Sequence, residues 1–110
     1  KELLVTSGGV KVHPETIEQD MNNSPDVVHS VIYLKPHATH LICVVDSVSP
    51  HDEGARARVK AFANSLPSAR KVAPFVEVIF AEQPFSKDNG MLRPNMKIDR
   101  KAIAARYLTP

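Results

Sequence analysis

The chain carries one cysteine, Cys43, in 110 residues. No internal disulfide can form, and a lone thiol fits a reducing cytoplasm. No apolar run approaches the ~20 residues of a membrane-spanning helix, and no signal-peptide pattern opens the sequence. Charge of one sign is also missing. Fourteen Lys and Arg face twelve Asp and Glu, a formal balance of +2, which gives no strong pull toward nucleic acid or a membrane surface. Aromatics make up 5% of residues and do not interleave with the basic ones, as a single-strand binding platform requires. There is no Cys pair, no His-Glu-x-x-His and no acidic cluster, so the five histidines imply no metal site. His37 and His40 stand three apart, but Pro36 and Thr39 place them on a loop rather than on a helical face. Ser7-Gly8-Gly9 is not followed by Gly-Lys-Ser/Thr and is no phosphate loop.

What remains is one domain, long enough for a core but too short for a deep pocket of its own. Nine prolines point to a compact, loop-rich domain rather than a bundle. Residues 3–6 and 10–12 flank the Ser-Gly-Gly turn and read as a hairpin. Pro14 suits the first position of a helix, Glu15 and Glu18 suit the positive end of its dipole, and Ile17 and Met21 give its inward face. Residues 27–34 and 40–48 are β-branched runs and read as sheet strands. The spacing predicts a helix over 54–66, with Val59, Phe62, Ala63 and Leu66 on one side and Pro67 as its stop. Residues 75–80 make a further strand with Val76, Val78 and Phe80 on one face, and 99–107 a last helix capped by Asp99, with Ile103 and Tyr107 on its face. The order β-β-α-β-β-α-β-α predicts an α+β domain: a small mixed or antiparallel sheet with flanking helices and an N-terminal hairpin. Cys43, inside Leu41-Ile-Cys-Val-Val45, reads as packing.

The stretch Phe85-Ser-Lys-Asp-Asn-Gly-Met-Leu-Arg-Pro-Asn-Met-Lys-Ile-Asp-Arg100 is the most informative part of the chain. Gly90 and Pro94 keep it out of regular helix just ahead of Lys97. An ammonium on a loop before an anchored helix is a point charge of the kind phosphate chemistry uses. The plain reading of such a lysine is a solvated surface residue. Arg93, Lys97, Arg100, Lys101 and Arg106 form a basic cluster, read either as a solvated face offset by Asp88 and Asp99 or as groups facing an anionic nucleotide.

Asn89–Arg100 resembles the C-terminal signature of long-chain acyl-CoA synthetases, members of the adenylate-forming superfamily. Residues 1–18, ending in His-Pro-Glu-Thr-Ile-Glu, resemble that superfamily's hinge region. The resemblance implies that the chain is a single C-terminal lid domain of a larger enzyme, a long-chain fatty acid–CoA ligase. It implies Lys97 as the catalytic lysine, a hinge at or beside Lys1, and Gly8 and Gly9 on the path of the CoA pantetheine. As a bare sequence, the glycine turn reads as a hairpin corner. Substrates would be ATP, a fatty acid and CoA, with acyl-AMP between the half-reactions. Mg2+ would be held mainly by the enzyme's own N-terminal domain, the expected partner. A cytoplasmic enzyme, at most peripheral to a membrane, is expected. Asn95-Met96, where many relatives have Ser-Gly, favours the long-chain branch. Two other readings stay open: an acyl-AMP ligase that loads a carrier protein, and a stand-alone non-catalytic binding or regulatory module.

Overall fold

A computed structural model describes residues 4–6, 8–35 and 38–108. Strands β1 (Leu4–Val5) and β2 (Lys11–Val12) form an antiparallel hairpin. Helix α1 (Pro14–Met21) leads to β3 (Val27–Tyr33) and β4 (Leu41–Ser47), and α2 (Glu53–Ser65) and α3 (Pro67–Arg70) lead to β5 (Val76–Phe80). Helix α4 (Arg100–Tyr107) closes the described chain. The second sheet has the order β3-β4-β5, antiparallel then parallel. A parallel neighbour needs a crossover, and α2 with α3 supplies it.

The α+β reading and the N-terminal hairpin are observed. One element was not foreseen. Pro67 does end α2, because it forces Leu66 into an extended conformation (ψ 123°), but it then opens the short helix α3 at its own first position. Asp52 also starts α2 one residue earlier than the spacing suggests, its carboxylate accepting from the Ala55 amide at 2.8 Å. Asp99 caps α4 as expected, accepting from the Ala102 amide at 3.1 Å.

Every residue of β4 is buried. Its two faces serve two cores, which is why the sequence there is a continuous apolar run instead of an alternation. Leu41, Cys43 and Val45 pack with Ile17, Met21, Val59, Ala63, Ala69 and Val12. Val44 and Val31 pack on the other side with Phe85, Met91, Leu92 and Ile103. Val78 and Phe80 lie against the first core, as their spacing predicts, and Ile79 against the second. The first core therefore carries α1, α2, α3 and the hairpin, and the second carries the Phe85–Arg100 stretch and α4.

Among the described residues strand β3 has no strand partner on its outer side. There Glu18 of α1 accepts from the Ile32 amide at 2.8 Å, and Arg100 of α4 donates to the Ile32 carbonyl at 3.4 Å. The two side chains meet each other at 2.6 Å. Tyr33 Oη donates to the Arg100 carbonyl at 2.7 Å. This group satisfies edge backbone that would otherwise be buried without partners. Burial pushes the Glu18 carboxyl above its ordinary range; the Ile32 amide and the Arg100 guanidinium pull it back only in part.

Arg100→Ala leaves that carboxylate without its counter-charge. A loss of about 3 kcal/mol is expected at neutral pH. The sign follows from the raised value. A carboxyl raised in the folded state adds stability below its unfolded range and loses it as pH rises through the folded value. The variant's deficit should therefore shrink as pH falls and grow as it rises. Urea unfolding of both proteins across the acidic range checks it, and a pH-independent deficit contradicts it.

Candidate functional site

The Phe85–Arg100 stretch is tied to the sheet at both ends. At its start, the Phe85 amide donates to Asp46 Oδ2 at 3.0 Å. His29 Nδ1 lies 2.9 Å from the same oxygen, and its ring stacks on Phe85 with centroids 5.5 Å apart. Asp46 is 2% exposed, so its bonds are made out of water, where they count for more. At the other end stands the Arg100–Glu18 pair. Between them Asn89 organises a turn. Its Oδ1 accepts from the Ser86 and Met91 amides at 3.1 and 3.0 Å, and its Nδ2 donates to the Pro84 carbonyl at 2.8 Å. Gly90 completes the turn at φ 79°, a region that favours glycine. Met91 and Leu92 then enter the second core.

From Leu92 the chain folds back on itself. Leu92 pairs with Ile98, the Asp99 amide donates to the Met91 carbonyl at 2.9 Å, and the Arg93 amide donates to the Lys97 carbonyl at 2.8 Å. The Met96 amide donates to the Arg93 carbonyl at 2.7 Å, with Met96 at φ 70°. This is a three-residue hairpin loop whose third residue is left-handed, a place that glycine usually takes. Methionine there costs about 1 kcal/mol. The sequence places Lys97 on a loop; the structure shows that loop to be a hydrogen-bonded hairpin, with the Lys97 amide donating to Asn95 Oδ1 at 3.0 Å. The lysine side chain is exposed and has no ion pair among the described residues.

The glycine turn repeats the same pair of bonds. The Gly9 amide donates to the Thr6 carbonyl and the Thr6 amide to the Val10 carbonyl, both at 2.9 Å. Gly9 takes the left-handed position at φ 85°, whereas a Cβ on Gly8 would meet nothing nearer than Thr6 Oγ1 at 3.9 Å. Only Gly9 is required by the backbone. Lys97 and the two glycines are not brought together: the hairpin's Leu4 and Val12 pack on the first core, and Leu92 and Ile98 on the second. Lys1 lies outside the described residues, as does His37.

The basic cluster separates into different environments. Arg100 belongs to the Glu18 pair, and Arg106 pairs with Glu82 at 3.0 Å and lies over the Tyr107 ring. Arg93 and Lys101 are exposed beside Lys97 in sequence. His40 stacks on Phe75 and lies 3.2 Å from Glu77. Among the described residues no group of three His, Cys, Asp or Glu side chains could hold a metal ion. Cys43 is fully buried, and burial pushes its thiol up, away from the reactive thiolate. Among the described residues no helix is long and apolar enough to cross a membrane. A groove of about 250 Å3 lies between Leu4, Pro14, Tyr33, Leu34, Lys101 and Ala104. Neither Lys97 nor the glycines line it, so the lysine faces no pocket formed there.

The two glycines should separate in a stability measurement. Gly9→Ala places a side chain in the left-handed region and should cost roughly 1–2 kcal/mol. Gly8→Ala should stay within about 0.5 kcal/mol of the parent. Equal losses in urea unfolding would show that both positions are set by the backbone.

No family model matches the sequence, and no curated protein does. Solved structures do. The A-PCP didomain of carboxylic acid reductase from Segniliparus rugosus, in complex with AMP, superposes with a TM-score of 0.79 at 22% identity over 96% of this chain. The A domain of the same organism's enzyme, with AMP and a co-purified carboxylic acid, gives 0.71 at 24% identity over 94%. The adenylation domain of the Mycobacterium chelonae carboxylate reductase gives 0.72 at 19% over 94%. The chain spans between 16% and 18% of the length of these structures. These likenesses establish the fold: an α+β domain of the kind found within these adenylation domains.

Proposed function

We propose that this chain is the C-terminal lid domain of a carboxylate-adenylating enzyme, an ATP-dependent long-chain fatty acid–CoA ligase. The observation that carries the reading is Lys97: an exposed ammonium without an ion pair among the described residues, on a backbone hairpin fixed at both ends to the sheet. The shared fold with adenylation domains, two of which hold AMP, supports it.

In the first half-reaction an acid's carboxylate oxygen attacks the α-phosphorus of ATP, the bond to pyrophosphate breaks, and acyl-AMP forms. Lys97 supplies positive charge where carboxylate and phosphate, both anionic, must approach. It holds them together and offsets charge building on phosphorus. In the second half, a thiolate attacks the acyl carbon and AMP leaves. Between the two halves the domain rotates about its hinge at Lys1, withdrawing Lys97 and bringing in Gly8 and Gly9 beside the pantetheine. Attachment of the two hairpins to opposite faces of one sheet favours this: one rotation can present either, and neither has to refold. ATP, acid and Mg2+ are held mainly by the N-terminal domain in this reading, and this chain alone is catalytically silent.

The acceptor has a second candidate. One of the similar structures is an A-PCP didomain, which favours a carrier-protein phosphopantetheine over free CoA. Thioester assays of the complete enzyme with CoA and with holo carrier protein separate the two. CoA remains the acceptor of the proposed reading through the resemblance of Asn89–Arg100 to long-chain acyl-CoA synthetases; Asn95-Met96 bears on the long-chain branch and not on the acceptor.

Two outcomes are expected in the complete enzyme. Lys97→Ala slows acyl-AMP formation by ~10²–10³-fold and leaves thioester formation from supplied acyl-AMP nearly untouched. An unchanged adenylation rate removes Lys97 from the mechanism. Gly8→Leu, at a position with room for a Cβ, slows the thioester step more than adenylation. Equal effects on the two halves, or none, leave that turn purely structural.

A further inference from the structure

Met96 joins two features that rarely coincide. It is the one left-handed residue other than glycine among the described residues, and its large apolar side chain is 58% exposed. Glycine would relieve the backbone, and leaving a methionine in water gains nothing in this domain by itself. A strained, solvent-facing apolar residue next to the lysine indicates a contact made only when another surface is present. We infer that Met96 is a positioning residue for adenylation. Its side chain packs into an apolar recess of the enzyme's N-terminal domain beside the acid site, and so fixes the depth and angle at which Lys97 enters.

The inference rests on the proposed function and deepens it. The occupant is a protein surface rather than the acyl chain, because the hairpin holds Met96 and Lys97 as neighbours on a closed, hydrogen-bonded loop. A contact that sets the lysine must be present whatever acid is bound. Thioether side chains suit the task, being unbranched and able to fill irregular recesses. The contact forms only in the adenylating arrangement, so it stabilises that arrangement relative to the thioester-forming one.

The test uses the complete enzyme and three variants, Met96→Gly, Met96→Leu and Lys97→Ala, with the two half-reactions measured separately. Met96→Gly should lose ~10-fold or more in kcat/KM for adenylation, the worth of one buried apolar side chain. The loss should be the same for short and long acids. Thioester formation from supplied acyl-AMP should be unchanged, and the melting temperature unchanged or higher, since the backbone is relieved. Met96→Leu, which keeps apolar bulk, should recover most of the rate. The inference is overturned by an unaffected adenylation rate in Met96→Gly, by a loss that depends on acid length, by equal loss in both halves, or by failure of Met96→Leu to recover. The Lys97→Ala arm keeps the two readings apart. If it is crippled while Met96→Gly is not, only the Met96 inference fails; if it is unaffected, the catalytic reading itself fails.

Discussion

The Glu18–Arg100 pair is the contact on which the placement of the candidate site depends. A single edge residue, Ile32, gives its amide to one partner and its carbonyl to the other. Three elements distant in sequence, α1, β3 and α4, are joined there. Such a pair is weak evidence for stability, because burial works against the carboxylate's charge. Its geometric effect is stronger. A planar guanidinium that must meet both a carboxylate and a carbonyl fixes where α4 begins. Arg100 is three residues from Lys97, so that choice also fixes the foot of the lysine hairpin.

Asp46 is the counterpart at the other end. It sits at the end of a strand buried on both faces, and one oxygen serves both the Phe85 amide and His29. Together the two carboxylates leave the intervening segment little freedom in how it lies on the sheet. Most of its ordering is therefore done when the domain folds and need not be done when a ligand arrives. That is the economy of preorganisation: a group already held in place loses less entropy on binding. The Lys97 backbone is held in this way, while its side chain is exposed and has no ion pair among the described residues.

The elements were legible because their signals are local. The Val59, Phe62, Ala63, Leu66 spacing, the β-branched runs, and Asp99 ahead of α4 all act within a few residues. The two carboxylate anchors were not read, because their partners lie 82 and 39 residues away. A clue to one was nonetheless present. Pro14, Ile17, Glu18 and Met21 fall at i, i+3, i+4 and i+7, and all four are buried; the charge sits within the apolar stripe, where a partner is required. The sequence reading assigned Glu18 to the helix dipole instead. For the same reason the basic cluster looked like one patch. Its members are close in sequence, but Arg100 and Arg106 are engaged by acids from elsewhere in the chain. Lys97 stood out through resemblance and local punctuation, and the hairpin around it depended on a left-handed methionine that no propensity favours.

The two hairpins carry the same pair of backbone bonds and differ at the position where that geometry excludes most side chains. At one, glycine takes the left-handed conformation and leaves an open surface. At the other, methionine takes it against the steric preference. Backbone energetics alone would place glycine at both. In the proposed reading the difference has a cause in what each hairpin meets. A turn beside a thin thiol-bearing chain gains from having no side chain, since its backbone can then approach closely. A turn that inserts a lysine between two anions gains from a neighbouring apolar anchor, since the ammonium's charge is of use only at a defined distance. One loop geometry can thus serve two steps, with the residue in its strained position deciding which.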